Sequence, residues 1–187
     1  MDQNTREDFL RNMKREVMNI NFLVKSILKL SRLDTNTVKF ISKKESVKEI
    51  INELLQFSKE REWFEFKENW FQPDVLGEYV SALSNAAAFH YKPQAYFVWG
   101  VNDETHEIKG TIFNQYCDHN KEPYQNFLAR NLSPSINFSF EEGMIDGKRV
   151  VVLVIPAAEE IPTAFREKRY IRIGSSKANL KDYPKRE

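Results

Sequence analysis

Two acidic side chains, Glu65 and Asp103, occupy positions from which the chain could do chemistry. Glu65 lies in Glu60-Arg61-Glu62-Trp63-Phe64-Glu65-Phe66-Lys67. Trp63, Glu65 and Lys67 alternate with Phe64 and Phe66, as a half-buried strand requires. Asp103 closes Val98-Trp99-Gly100-Val101-Asn102-Asp103, where the apolar run from Ala95 to Val101 reads as a buried strand entering a turn. If these strands are neighbours, both carboxylates come to one exposed strand end. The plainer alternative makes Glu65 a strand-face partner of Lys67 and Asp103 a turn residue. Other constellations are weaker. Cys117-Asp118-His119 supplies two of the ligands that a tetrahedral zinc site needs, and His90 and His106 have no ligand-like spacing. Neither a Gly-x-Ser-x-Gly turn nor a phosphate-binding Gly-x-x-x-x-Gly-Lys loop exists, which argues against a hydrolytic triad and ATP hydrolysis.

The charge distribution bears on what such a site could meet. Residues 1–44 carry 10 basic and 5 acidic side chains, residues 45–161 carry 10 and 19, and residues 162–187 carry 8 and 3. An acidic middle between basic ends repels phosphate at its centre unless a metal ion intervenes, whereas the ends attract it. A single cysteine, Cys117, excludes an internal disulfide and fits a reducing, cytoplasmic setting. Charges interrupt each apolar stretch of Met1–Leu30, unlike a signal peptide, and no run is long enough to cross a bilayer.

The elements that must position these residues follow from periodicity. Ser46 and Glu49 form a capping box for a helix whose apolar face is Val47, Ile50, Ile51 and Leu54. Asp74 is placed to cap a helix over Leu76–Phe89, rich in small residues that let another element approach. The strand Ala95–Val101 is expected to turn at Asp103–His106 and pair with Glu107–Phe113. A helix near Pro123–Asn131 buries Tyr124, Phe127 and Leu128. Ile136–Phe140 alternates as an antiparallel strand, and Asp146-Gly147 is a hairpin signal leading into Arg149–Ile155, a central strand. Tyr170–Gly174 reads as the last strand, with a polar, basic tail after it. The sum is α+β: a mixed α/β sheet domain over residues 44–187, preceded by a helical segment over residues 1–43.

That segment reads as one helix from residue 6 to about 33. Leu10, Met13, Val17, Ile20, Val24 and Ile27 are spaced three and four apart, a coiled-coil seam that predicts self-association into a homodimer. Ile27 to Phe40 resembles the second dimerisation helix of sensor histidine kinases and the link that follows it. In that family the phosphate-accepting histidine lies on the preceding helix, whereas the first histidine here is His90. Only dimerisation carries over.

Residues 46–184 resemble the Schlafen AlbA-like domain. The matching pieces are Glu60…Glu65-Phe66-Lys67, Tyr79-Val80-Ser81-Ala82-Leu83-Ser84-Asn85, Trp99-Gly100-Val101-Asn102-Asp103, Ile108-Lys109-Gly110-Thr111, Ile155-Pro156-Ala157, Pro162 and Tyr170-Ile171-Arg172-Ile173-Gly174-Ser175. One departure is Pro93-Gln94-Ala95, where many members carry Gly-Gly before the apolar strand. The resemblance implies a nucleic-acid-binding module of bacterial transcriptional regulators, with DNA or RNA as partner. In some Schlafen members it implies endoribonuclease activity, whose three carboxylates fall here on Glu60, Glu65 and Asp103. Clustered carboxylates hold Mg²⁺ or Mn²⁺, which binds phosphate and generates a hydroxide nucleophile. Lys67, Lys168, Arg169, Arg172 and Lys177 are the expected phosphate contacts. Trp63, Trp70 and Trp99 are candidates for stacking on bases, although such residues more often fill a core.

Overall fold

A computed structural model describes residues 46–183. The expected N-terminal helix, with its seam of Leu10, Met13, Val17, Ile20, Val24 and Ile27, lies outside these residues. The first helix, α1 (Val47–Leu54), starts as its sequence dictates. The Ser46 hydroxyl accepts from the Glu49 backbone N–H at 3.2 Å, and the Glu49 carboxylate accepts from the Ser46 N–H at 3.0 Å. Strand β1 (Phe64–Lys67) follows. Helix α2 (Pro73–Phe89) has Pro73 in its first turn, and Gln72 occupies the N-cap without a side-chain hydrogen bond. Asp74 therefore lies inside the helix rather than capping it, because proline's fixed φ already suits the first helical position. Strand β2 (Gln94–Trp99), the short β3 (Asp118–His119) and β4 (Glu122–Pro123), helix α3 (Tyr124–Asn131) and β5 (Leu132–Ser133) come next. Then follow β6 (Ser139–Ile145), β7 (Lys148–Pro156), β8 (Ala164–Phe165), β9 (Lys168–Ile173), β10 (Ser176–Asn179) and a 3-10 turn at Leu180–Asp182.

The strands form two principal sheets instead of the single one expected. The first has the order β1-β2-β7-β6, and the second has the order β10-β9-β8-β5. Strand β7 is interior, as its run of Val150 to Ile155 requires, since both of its faces are covered. On one face Phe97, Trp99, Val151, Leu153 and Ile155 pack with Leu76, Val80 and Leu83 of α2. On the other, Phe64, Phe66, Val98, Val150 and Val152 pack with Ile50, Ile51 and Leu54 of α1. Asp146 and Gly147, both at positive φ, make the β6–β7 turn.

Three expected strands differ. Of Ile136–Phe140 only Ser139 and Phe140 are in a strand, the start of β6. Past β2, Val101 makes one bridge to Ile108 and no ladder follows. The Asn102 side chain instead gathers the turn by accepting from the Glu104 N–H at 3.1 Å and the Thr105 N–H at 2.8 Å. Tyr170–Gly174 is not the last strand either: Ser176–Asn179 turns back and pairs with it, so part of the presumed tail belongs to the second sheet. No helix among the described residues is long and apolar enough to cross a membrane.

Candidate functional site

Parallel pairing decides where the acidic residues meet. Glu65 lies opposite Phe97 and Lys67 opposite Trp99, so β1 and β2 end at the same edge of the first sheet. Gly100, at φ 99, then carries the chain around; a Cβ there would come 2.9 Å from the Arg149 carbonyl. Asp103 is delivered beside the end of β1. Alternation sends Phe64 and Phe66 into the α1-side core and turns Glu65 to the opposite face of the sheet.

Glu65 and Asp103 are neighbours at one sheet edge, as their strands predict, but a cation stands between them. Lys67 Nζ lies 2.8 Å from Asp103 Oδ2 and 2.9 Å from Glu65 Oε1. The second oxygen of Glu65 meets the Arg172 guanidinium, which reaches over from β9. The same guanidinium lies 2.5 Å from Glu60 Oε2, while Glu60 Oε1 accepts from the Phe66 N–H at 2.6 Å. Arg172 also donates to the carbonyls of Arg61 and Phe64. The result is one row of alternating charge: Asp103, Lys67, Glu65, Arg172, Glu60.

The row is wettest at Asp103 and driest at Glu65 and Arg172, with Glu60 beyond them at 13%. Asp103 keeps 46% of its side-chain exposure and Lys67 keeps 21%, against 4% for Glu65 and 0% for Arg172. Burial pushes the Glu65 carboxyl above its ordinary range, with Arg172 and Lys67 pulling against it. Burial also works against charge on Lys67, yet its hydrogen bonds to Asp103 and Glu65 prevail and raise its affinity for the proton. The same bond from Lys67 holds the Asp103 carboxyl below its ordinary value. The open, water-facing carboxylate pocket anticipated from sequence is therefore absent at Glu65. Among the described residues, no three His, Cys, Asp or Glu side chains are grouped so as to hold a metal ion.

The expected phosphate contacts divide. Arg172 is fully buried, because a β9 residue facing the first sheet meets the acids and carbonyls leading into β1. Lys67 is shared between two carboxylates. Lys177 pairs with Glu78 and lies over the rings of Tyr79 and Tyr170. Lys168 and Arg169 remain at the surface, at the start of β9. Beside them the turn residues Arg166 and Glu167 adopt positive φ and are exposed. Arg166 lies 2.8 Å from Asp74 and covers the Phe127 and Phe165 rings.

A buried polar cluster that the sequence reading missed fixes this hairpin to α2. Ser81 Oγ donates to the Thr163 carbonyl at 2.6 Å and accepts from the Tyr170 N–H at 3.0 Å. Asn85 Nδ2 donates to the carbonyls of Thr163 and Tyr170 at 2.8 and 2.7 Å, and Asn85 Oδ1 accepts from the Thr163 N–H at 2.7 Å. Ser84 Oγ donates to the Pro156 carbonyl at 2.8 Å. The available signal was three polar residues on a face otherwise made of Val, Ala and Leu, since buried polar groups demand partners.

The aromatic candidates are structural. Trp99 is fully buried, with its indole N–H 2.6 Å from the Trp70 carbonyl, and Trp63 and Trp70 pack at the margin of the core. His119 packs edge-on against Phe127, and burial pushes the Cys117 thiol above its ordinary value.

The family model described as Schlafen, AlbA_2 matches residues 60–181. No curated protein matches the chain. Among solved structures, it is similar to the DIP2311 protein from Corynebacterium diphtheriae at 18% identity and a TM-score of 0.44, over 63% of this chain and 22% of that one. It is also similar to the N-terminal domain of a RecG-related protein from Nitrosomonas europaea at 21% identity and a TM-score of 0.39, over 70% of this chain and 90% of that one.

Proposed function

The chain belongs to the Schlafen AlbA_2 family, and from that premise we propose that its β8–β9 hairpin binds nucleic acid through the phosphate backbone. The observation that carries this reading is the hairpin itself. Arg166 in the turn and Lys168 and Arg169 at the start of β9 are exposed, and the strands behind them are held by Ser81 and Asn85 of α2. A fixed cationic projection suits backbone contact, which positions a protein on its target without reading sequence. Lys181, exposed just after β10, adds charge to the same sheet. Lys67, Arg172 and Lys177 are at most about a fifth exposed and have no part in this reading, whereas Arg166 keeps 49% of its side chain exposed beside Asp74. The role we infer is that of a DNA-binding module in a transcriptional regulator, with residues 1–43 joining two copies.

Salt titration tests it. The full chain, titrated against labelled duplex DNA and structured RNA, should bind one or both with affinity that falls steeply as salt rises. Replacing Arg166, Lys168 and Arg169 together with Gln should flatten the logarithmic salt slope by roughly two to three. An unchanged slope would exclude the hairpin, and absence of salt-sensitive binding to either polymer would remove nucleic acid as the partner.

A further inference from the structure

We infer that this chain fills its own carboxylate site with two resident counter-ions, the Lys67 ammonium and the Arg172 guanidinium, and so dispenses with a divalent ion there. Glu60, Glu65 and Asp103 are the acids to which the family resemblance assigns metal. For a shared Mg²⁺ or Mn²⁺, their oxygens must converge on one point about 2.0–2.2 Å away, as a hard cation requires. They do not converge. Lys67 Nζ lies 2.9 Å from Glu65 and 2.8 Å from Asp103, in the place of a bridging ion. Arg172 bridges Glu65 and Glu60 in the same manner.

Neither cation is casually placed. Arg172 is fully buried and also donates to the carbonyls of Arg61 and Phe64. Its backbone belongs to β9 of the second sheet. The three acids with their two cations carry a net charge of −1, so a divalent ion gains little by approaching and must displace a charged donor to bind. The row thus does the mechanical work of joining the sheets, and contact with nucleic acid falls to other residues. This inference stands apart from the hairpin reading, because its test needs no nucleic acid.

Mn²⁺ titration of the full chain, followed by the electron paramagnetic resonance signal of the free ion, tests it directly. The parent should take up no more Mn²⁺ than its Glu65→Gln variant does. Lys67→Met removes the outer counter-ion at similar length and leaves Arg172 in place. It should bind one Mn²⁺ roughly tenfold or more tightly than the parent, and adding Asp103→Asn should abolish that gain. Lys67→Gln repeats the measurement if the Met variant unfolds. A parent that binds one Mn²⁺ lost with Glu65→Gln would overturn the inference, and so would folded Lys67 variants that gain nothing.

Discussion

Arg172 and Glu65 belong to different sheets, yet their side chains close on each other in the interior, with 0% and 4% of their surface exposed. No strand is common to both sheets. This pair, with Glu60 behind it, is therefore a direct tie between them. Its free energy depends on completeness. An intact buried ion pair offsets its own desolvation at best, but one left half-made strands a charge in the interior.

Arg172→Met should consequently destabilise the domain by about 3–5 kcal/mol, since Glu65 and Glu60 lose their countercharge. Combining Arg172→Met with Glu65→Leu should recover only part of that loss. The carbonyls of Arg61 and Phe64 would still lack their donor. Urea unfolding of the parent, both single variants and the double variant measures this, and full recovery would show that the carbonyl contacts contribute nothing.

The outer end of the row has a pH signature. Lys67 depresses the Asp103 carboxyl below its ordinary 3.8, so the folded state holds the carboxylate more firmly than the unfolded chain does. Asp103 thus adds stability that is present above that ordinary value and is lost as pH falls through the depressed one. The Lys67 ammonium, raised above its ordinary 10.5, adds stability that is full below that value and is lost as pH rises through the elevated one. Asp103→Asn should lower stability at neutral pH by at most about 1 kcal/mol, given its exposure. It should also flatten the acid limb of a stability-against-pH curve, which thermal melts between pH 2 and 7 would read on the order of tenths of a kcal/mol.

Close packing of α2 on the hairpin gives a third outcome. A Cβ at Gly77 would lie 2.2 Å from the Phe165 ring. Gly77→Ala should therefore cost about 1–3 kcal/mol through overpacking, more than the roughly 1 kcal/mol of helix propensity it gains. Phe165→Leu in the same chain should return part of the loss. Thermal denaturation of the three variants decides, and a stabilised Gly77→Ala would contradict the contact.

Much of this fold is legible in the chain because short-range chemistry dictates it. The Ser46–Glu49 capping box, the Asp146-Gly147 turn and the apolar run of β7 each carry their instruction within a few residues. The proximity of Glu65 to Asp103 is also legible, since it needs only that two strands be parallel neighbours. What lies between the acids is not. Lys67 could turn toward water or toward either acid, and local periodicity does not distinguish these. Arg172 alternates correctly with Ile171 and Ile173, but the pattern alone leaves open whether its face meets solvent or another sheet. Splitting the strands into two sheets is what buries it. The β9–β10 return was missed because Ser176–Asn179 is polar and half-exposed, without the alternation that marks a strand.

The Asn85 side chain bonds both backbone groups of Thr163, donating to its carbonyl and accepting from its N–H. It thereby imitates an adjacent strand from within a helix. Hydrolysis of this single amide to an acid would replace a donor with a second oxygen, aimed at the carbonyls of Thr163 and Tyr170. A slow chemical ageing event at one residue would then set helix and hairpin against each other.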